Sequence, residues 1–225
     1  MIDKKLIIFD CDGVLIDSEI IAARVEAAAF TAIGYHLTPE EKFKKFLGKT
    51  EKDMFTIIES DLGMVLPEDF KKDLHRQVAD AFANKLTAIK GITDILPKIP
   101  YKCVASNSRL QNIIRNFKTT GLDQYFEPNA IFSAEMVTLP KPAPDLFLHA
   151  ARQMGYDVTD CIVIEDSPTG VRAASAANIP VIGFTGALHI LNKDQHAQSL
   201  KNHGAITTFD HMRDLIDVLS AVTAL

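Results

Sequence analysis

The sequence predicts an α/β fold in which a doubly wound parallel sheet carries an inserted all-helical segment, and three observations support this. Four short, continuously apolar runs end in polar residues: Leu6 to Phe9 before Asp10, Tyr101 to Ala105 before Ser106, Ile162 to Ile164 before Glu165, and Pro180 to Phe184. Runs without polar alternation are the pattern of strands covered on both faces, as parallel strands are. Helical patterns follow the second and third runs, giving the strand and helix alternation of a wound sheet. Finally, about ninety residues separate the first run from the second, where a simple crossover unit needs about thirty, so something is inserted.

Taken in order, the first strand leads into a stretch that is helical in pattern from Glu19 to Leu86. Ile20, Ile21, Val25, Ala28 and Ala32 mark its first segment, followed by Pro39 to Phe46, Asp53 to Leu62 and Pro67 to Leu86, with Gly34, Gly48 and Gly63 as breaks. Lys90-Gly91 marks the return. The expected division is residues 1–16 and 88–225 as the α/β core and residues 17–87 as a helical cap. After the second strand, Ser108 and Gln111 predict a capping box. A weaker strand, Ala130 to Phe132, precedes a helix that Pro144 opens and Gly155 can close, with Phe147, Leu148 and Ala151 spaced for burial. After the third strand, Ser167-Pro168 places a cap residue and a proline in the first helical position. These helices begin at the carboxyl edge of the strands, where wound sheets bind ligands.

Composition narrows the function. The 225 residues are 47% apolar and 24% charged with a formal charge of -5, which provides for a core and argues against nucleic acid, whose binders need basic stripes to displace counterions. Small molecules are the expected partners, while monomer and homodimer both stay open. Met1 to Leu6 lacks a signal core, and no run approaches the ~20 apolar residues that cross a bilayer, so no membrane association is expected. Cys11, Cys103 and Cys161 lie in or beside apolar runs without metal-binding spacing, as expected of core residues in a reducing cytoplasm. His36, His75, His149, His189, His196, His203 and His211 are scattered without ligand spacing and read as surface or core residues.

Four polar clusters fall at strand or loop ends. Asp10-Cys11-Asp12-Gly13 terminates a buried strand, where two carboxylates repel unless a cation or proton is present. Ser106-Asn107-Ser108 offers hydroxyl, amide and free backbone N–H groups suited to phosphoryl oxygens. Lys141 lies among Pro140, Pro142 and Pro144, which stiffen its loop. Glu165-Asp166 ends another strand ahead of a capped helix. Taken singly, each has a bland alternative: solvated acids, a cap, an exposed lysine, or acids matched to a helix dipole. Their occurrence together, in one chain order along one sheet, favours a common site.

That ordered set, DCDGVLIDS, SNS, KPAPD and EDSPTG, resembles the four motifs of the haloacid dehalogenase superfamily, and the helical insert resembles the cap of its phosphoglucomutase-like and phosphatase branch. The resemblance implies a Rossmann-like core and a phosphatase acting through an aspartyl-phosphate intermediate on a small phosphorylated metabolite, with a sugar phosphate expected. It makes Asp10 the nucleophile and Asp12 the proton handler, protonated at first. Ser106 and Asn107 would bind the phosphoryl group, and Lys141 would offset its charge. Magnesium would be held by Asp10, the Asp12 main-chain carbonyl, Asp166 and Glu165.

Asp12 argues against the dehalogenase branch, which protonates no leaving group. Phosphohexose mutases of the branch carry a cap histidine and arginine. Here Ala22 and Ala23 stand where the histidine is expected, and Gly48-Lys49-Thr50-Glu51-Lys52 has no arginine, so hydrolase ranks above mutase. A binding module that had lost turnover would be expected to lack Asp10, Asp12 or Lys141. The Asp10 to Lys52 stretch is similar to bacterial phosphatases acting on 6-phosphogluconate and related sugar phosphates. Lys49 or Lys52 could meet the distal end of such a substrate, with a solvated helix face the equally expected reading of Lys42 to Lys52.

Overall fold

A computed structural model describes residues 4–46 and 49–223; Gly48 of the expected break lies outside them. The chain divides into two compact units, Met1–Asp17 with Thr87–Leu225, and Ser18–Leu86.

The first unit is built on six parallel strands: β1 (Leu6–Phe9), β2 (Lys102–Ser106), β3 (Ile131–Ser133), β4 (Cys161–Glu165), β5 (Val181–Phe184) and β6 (Thr207–Phe209), in the order β3-β2-β1-β4-β5-β6. β1 lies between β2 and β4, with Phe9 level with Val104 on one side and Ile164 on the other. The chain winds outward from β1 through β2 to β3 and then restarts at β4 on the opposite flank. The order therefore reverses at β1, and a crevice at such a reversal is where wound sheets take ligands.

Alternation along β1 shows why its run is wholly apolar. Leu6 and Ile8 join a cluster with Phe147, Ala173 and Ala174 from α7 (Asp145–Gln153) and α8 (Pro168–Ala176). Phe9 instead meets the edge of Phe126, which packs on Phe117 of α6 (Leu110–Thr120). Both faces are covered, so no position in the strand tolerates a polar side chain.

Sequence and structure part at three places. β6 pairs only with β5, and its Thr207 and Thr208 are half-buried, so its sequence has no continuous apolar run. Between β5 and β6 lies a helix, Lys193–Asn202, whose single buried residue is Leu200; one anchor leaves no periodic signal. The Ser108 capping box is overturned: α6 starts later, with Arg109 at its N-cap and no side-chain cap, because the Ser108 hydroxyl has another partner.

The second unit contains α1 (Ser18–Ala32), α2 (Pro39–Phe46), α3 (Glu51–Leu62) and α4 (Glu68–Lys85). Phe30 is fully buried and packs on Tyr35, Phe55 and Phe70. Thr50 and Asp53 form a reciprocal capping box at the start of α3, and Gly63 ends it with φ +66. Lys42, expected on a solvated face, pairs with the buried carboxylate of Glu26. Among the described residues no helix is long and apolar enough to cross a membrane.

Candidate active site at the carboxyl edge of the sheet

Asp10 follows β1 directly, and its backbone N–H continues the ladder to the Ile164 carbonyl at 2.9 Å. The chain then folds back tightly: the Leu15 and Ile16 N–H groups both donate to the Cys11 carbonyl, and Gly13 donates to Ile16. Gly13 is required here twice over. Its φ is +83, and a Cβ at this position would stand 2.0 Å from Asp166 Oδ2, so the turn can approach the end of β4 only without a side chain.

Lys141 reaches the same place from the loop after β3. Its Nζ lies 2.6 Å from Asp10 Oδ1 and 2.8 Å from Glu165 Oε1, buried, with the Phe147 ring centroid at 4.6 Å. The loop is held by Asn107, whose amide donates to the Lys141 carbonyl and accepts from the Lys141 N–H, each at 3.1 Å. Proline restraint is therefore joined by a two-point side-chain clamp from the end of β2.

Glu165 is 1% exposed. One of its oxygens faces Lys141, and the other accepts from the Ser167 N–H and hydroxyl at 2.8 and 3.0 Å. Gly170 makes room for it, since a Cβ there would lie 1.6 Å from Glu165 Oε1. Ser167 also caps α8 by accepting from the Gly170 N–H, as its sequence position predicts. Asp12 Oδ2 in turn accepts from the Ser108 hydroxyl at 2.7 Å and more distantly from Ser106 at 3.5 Å. This is the partner that removes Ser108 from capping duty.

The structure thus brings Asp10, Lys141, Glu165 and Asp166 together, and joins Asp12 to Ser106 and Ser108. Asn107 joins them through its clamp on the Lys141 main chain. Two residues that sequence reasoning passed over also belong here. His189 Nε2 lies 3.3 Å from Asp166 Oδ2, and His196 Nε2 lies 2.5 Å from the Asp166 carbonyl. Lone histidines far along the chain from Asp166 carry no spacing signal; the available clue is that His189 closely follows the end of the fourth apolar run, β5.

Charge balance sets the chemistry. Burial pushes the Asp10 carboxyl up to about 8; Lys141 opposes this, and Glu165 and Asp12 reinforce it. Burial also works against the charge on Lys141, but Asp10 and Glu165 more than compensate and hold its pKa above the ordinary lysine value. One ammonium cannot balance the acids around it. Asp10, Glu165 and Asp166 each offer an oxygen, all within 4.8 Å of one another. An all-oxygen, negatively overcharged donor set suits a hard divalent cation such as magnesium.

The chain is similar to known proteins over most of its length. The profile of the haloacid dehalogenase-like hydrolase family matches residues 7–184. The chain is 32% identical over 219 residues to a 6-phosphogluconate phosphatase of Escherichia coli, covering 96% of this chain and 95% of that one. A crystal structure of a haloacid dehalogenase-like protein from Agrobacterium tumefaciens superposes with a TM-score of 0.89 at 37% identity, covering 97% and 99% of the two chains. A hydrolase of the same family from Deinococcus radiodurans, crystallised with phosphate and sodium, gives 0.84 at 28% identity, covering 100% and 99%.

Proposed function

The chain belongs to the haloacid dehalogenase-like hydrolase family and hydrolyses phosphoric monoesters, and we propose that it does so with magnesium, through an aspartyl-phosphate, on a sugar phosphate. The observation that carries this reading is the buried Lys141 bridging Asp10 and Glu165 at the end of β1. Likeness to a 6-phosphogluconate phosphatase supports a phosphorylated sugar acid or related sugar as substrate. The division into a core of residues 1–16 and 88–225 and a cap of residues 17–87, with the cap choosing the substrate, belongs to the same proposal, as does a cytoplasmic setting.

Each residue has a task. Asp10, fixed at the strand end, attacks phosphorus with the oxygen not engaged by Lys141, and the ester oxygen leaves. Lys141 spreads positive charge over Asp10 and the transferring group where burial strengthens it. Asp12 gives the leaving oxygen its proton and later takes one from the water that cleaves the acyl phosphate. Ser106 and Ser108 orient Asp12 by donating to it, and Ser106 stands ready for a phosphoryl oxygen. Asn107 holds Lys141 in place from the main chain and also faces the phosphoryl group. Asp10, Asp166 and Glu165 would hold magnesium, which supplies neutralisation of phosphoryl charge when bound.

Phosphate release from a panel of sugar phosphates and 6-phosphogluconate, with magnesium or with EDTA, tests the proposal. Release that needs magnesium and vanishes in Asp10→Asn is expected. Wild type that releases phosphate from no member overturns the substrate class, and an active Asp10→Asn overturns the mechanism.

A further inference from the structure

Two imidazoles that the reaction above does not use converge on Asp166. His189 approaches the carboxylate and His196 the carbonyl, so side chain and main chain are gripped separately. A carbonyl or carboxylate oxygen can only accept, so each favourable contact puts the proton on Nε2.

The His189 contact is built into the fold rather than left to a roaming side chain. Its loop leaves β5 with the Thr185 N–H bonded to the Phe209 carbonyl, and Ile190 closes it by donating to Ala187. Between these points the Leu188 N–H donates to Asp17 Oδ1 at 3.0 Å, tying the loop to the segment that begins at Asp10. Gly186 packs where a Cβ would meet the Asp210 carbonyl at 2.2 Å. Gly13 has no side chain to occupy the slot: its Cβ would stand 2.0 Å from Asp166 Oδ2 and 3.0 Å from His189 Cε1. The carboxylate and the ring share that space with side-chain exposures of 6% and 16%, where water competes poorly for the contact.

We propose that His189 is a positioning residue, delivered by the loop that Asp17 ties down, which holds the Asp166 carboxylate in the rotamer that binds the cation. An unrestrained aspartate pays rotamer entropy on binding a metal; a partner that has already ordered it removes that cost, and loss of such partners weakens metal sites by about 10- to 100-fold. The proposal rests on the reading of Asp166 as a magnesium ligand.

Magnesium titration by calorimetry, at one pH and without substrate, tests it on wild type, Asp166→Asn, His189→Ala, His189→Gln and His189→Asn, each melted to verify folding. Expected is a magnesium Kd raised about 10- to 100-fold in His189→Ala and in His189→Asn, whose amide is too short. His189→Gln, whose amide N–H extends about as far as Nε2, should recover most of the loss. If Asp166→Asn binds as wild type does, the metal assignment falls and this proposal with it. If Asp166→Asn loses binding while His189→Ala keeps the wild-type Kd, the proposal alone falls. A His189→Gln as weak as a folded His189→Ala also overturns it, because a donor at the right reach would then have done nothing.

Discussion

Asp10 stands among more negative charge than Lys141 cancels, and this has a cost that pH reveals. Its carboxyl is raised by burial to about 8, against about 4 in an unfolded chain. Below that lower value both states hold the proton and the site adds no penalty. As pH climbs toward 8 the unfolded chain gives up its proton first, so the folded state loses stability across that window. In protein freed of metal by EDTA, the melting difference between Asp10→Asn and wild type should therefore grow from pH 4 to pH 8. Asp10→Asn, which cannot ionise, should melt higher than wild type at pH 8 while releasing no phosphate. Parallel melting curves for the two proteins would contradict the charge argument. Gly13→Ala probes the same crowding by sterics: the positive φ alone should cost about 1–2 kcal/mol, and displacement of Asp166 should weaken magnesium binding, read by melting and titration. At this scale the sequence was eloquent about identity and silent about pairing. Asp10, Asp12, Glu165 and Asp166 were legible because their motifs end buried strands, and Lys141 because prolines stiffen its loop. That Ser108 serves Asp12, that Asn107 clamps Lys141, and that His189 and His196 grip Asp166 was not, since these are contacts across loops with no periodicity.

Within elements, two local devices in the helical unit make separable predictions. Thr50 accepts from Asp53 N–H while Asp53 accepts from Thr50 N–H, so Thr50→Ala should cost about 1 kcal/mol in urea unfolding with little change in phosphate release. The Glu26 to Lys42 pair joins α1 to α2 with both side chains largely buried, at 12% and 13% exposure. Burial raises the Glu26 pKa and Lys42 opposes it, so removing Lys42 strands a carboxylate. Lys42→Met should cost about 3 kcal/mol, the low end for breaking a buried pair because some water reaches it. Because the Glu26 pKa is raised above the ordinary 4.5 and rises further without Lys42, the loss should shrink as pH falls toward 4.5 and Glu26 takes its proton, and Glu26→Gln added to Lys42→Met should recover much of it. Equal losses at every pH would show that packing of the lysine stem, and not charge, is at stake. Elements were legible in proportion to what they bury. β1, β2, β4 and β5 announce themselves by apolar runs, and α2 by its proline start, whereas β6 and the Lys193–Asn202 helix bury too little to leave a pattern.

For the molecule as a whole, the chain order that separates β1 from β2 by five α-helices, the four of the second unit and the short α5 (Ile92–Ile95), produces two cores with distinct membership. One gathers Leu6, Ile8, Phe132, Phe147 and Val163 around the sheet; the other gathers Phe30, Phe46, Phe55, Ile58 and Leu74 among the helices. The insert was legible from the length of the gap alone, but the strand order was not, because the outward and return paths from β1 leave the same apolar runs. The contacts that place Asp10, Lys141, Glu165 and Asp166 are made by the ends of β1, β2 and β4 and the loops after β3 and β5, all within the sheet-bearing unit. A cavity among the helices should therefore loosen one unit and spare the donor set. Phe30→Ala removes a fully buried ring that touches Tyr35, Phe55 and Phe70, a change costing about 3–5 kcal/mol. Hydrogen exchange followed by mass spectrometry should show protection falling across residues 18–86 while β1, β2 and β4 stay protected. Magnesium should still bind with the wild-type Kd, and turnover of a sugar phosphate should fall because substrate choice is assigned to the helical unit. Protection lost equally throughout, with magnesium binding lost alongside it, would mean that the two cores fold as one cooperative body and that the site depends on both.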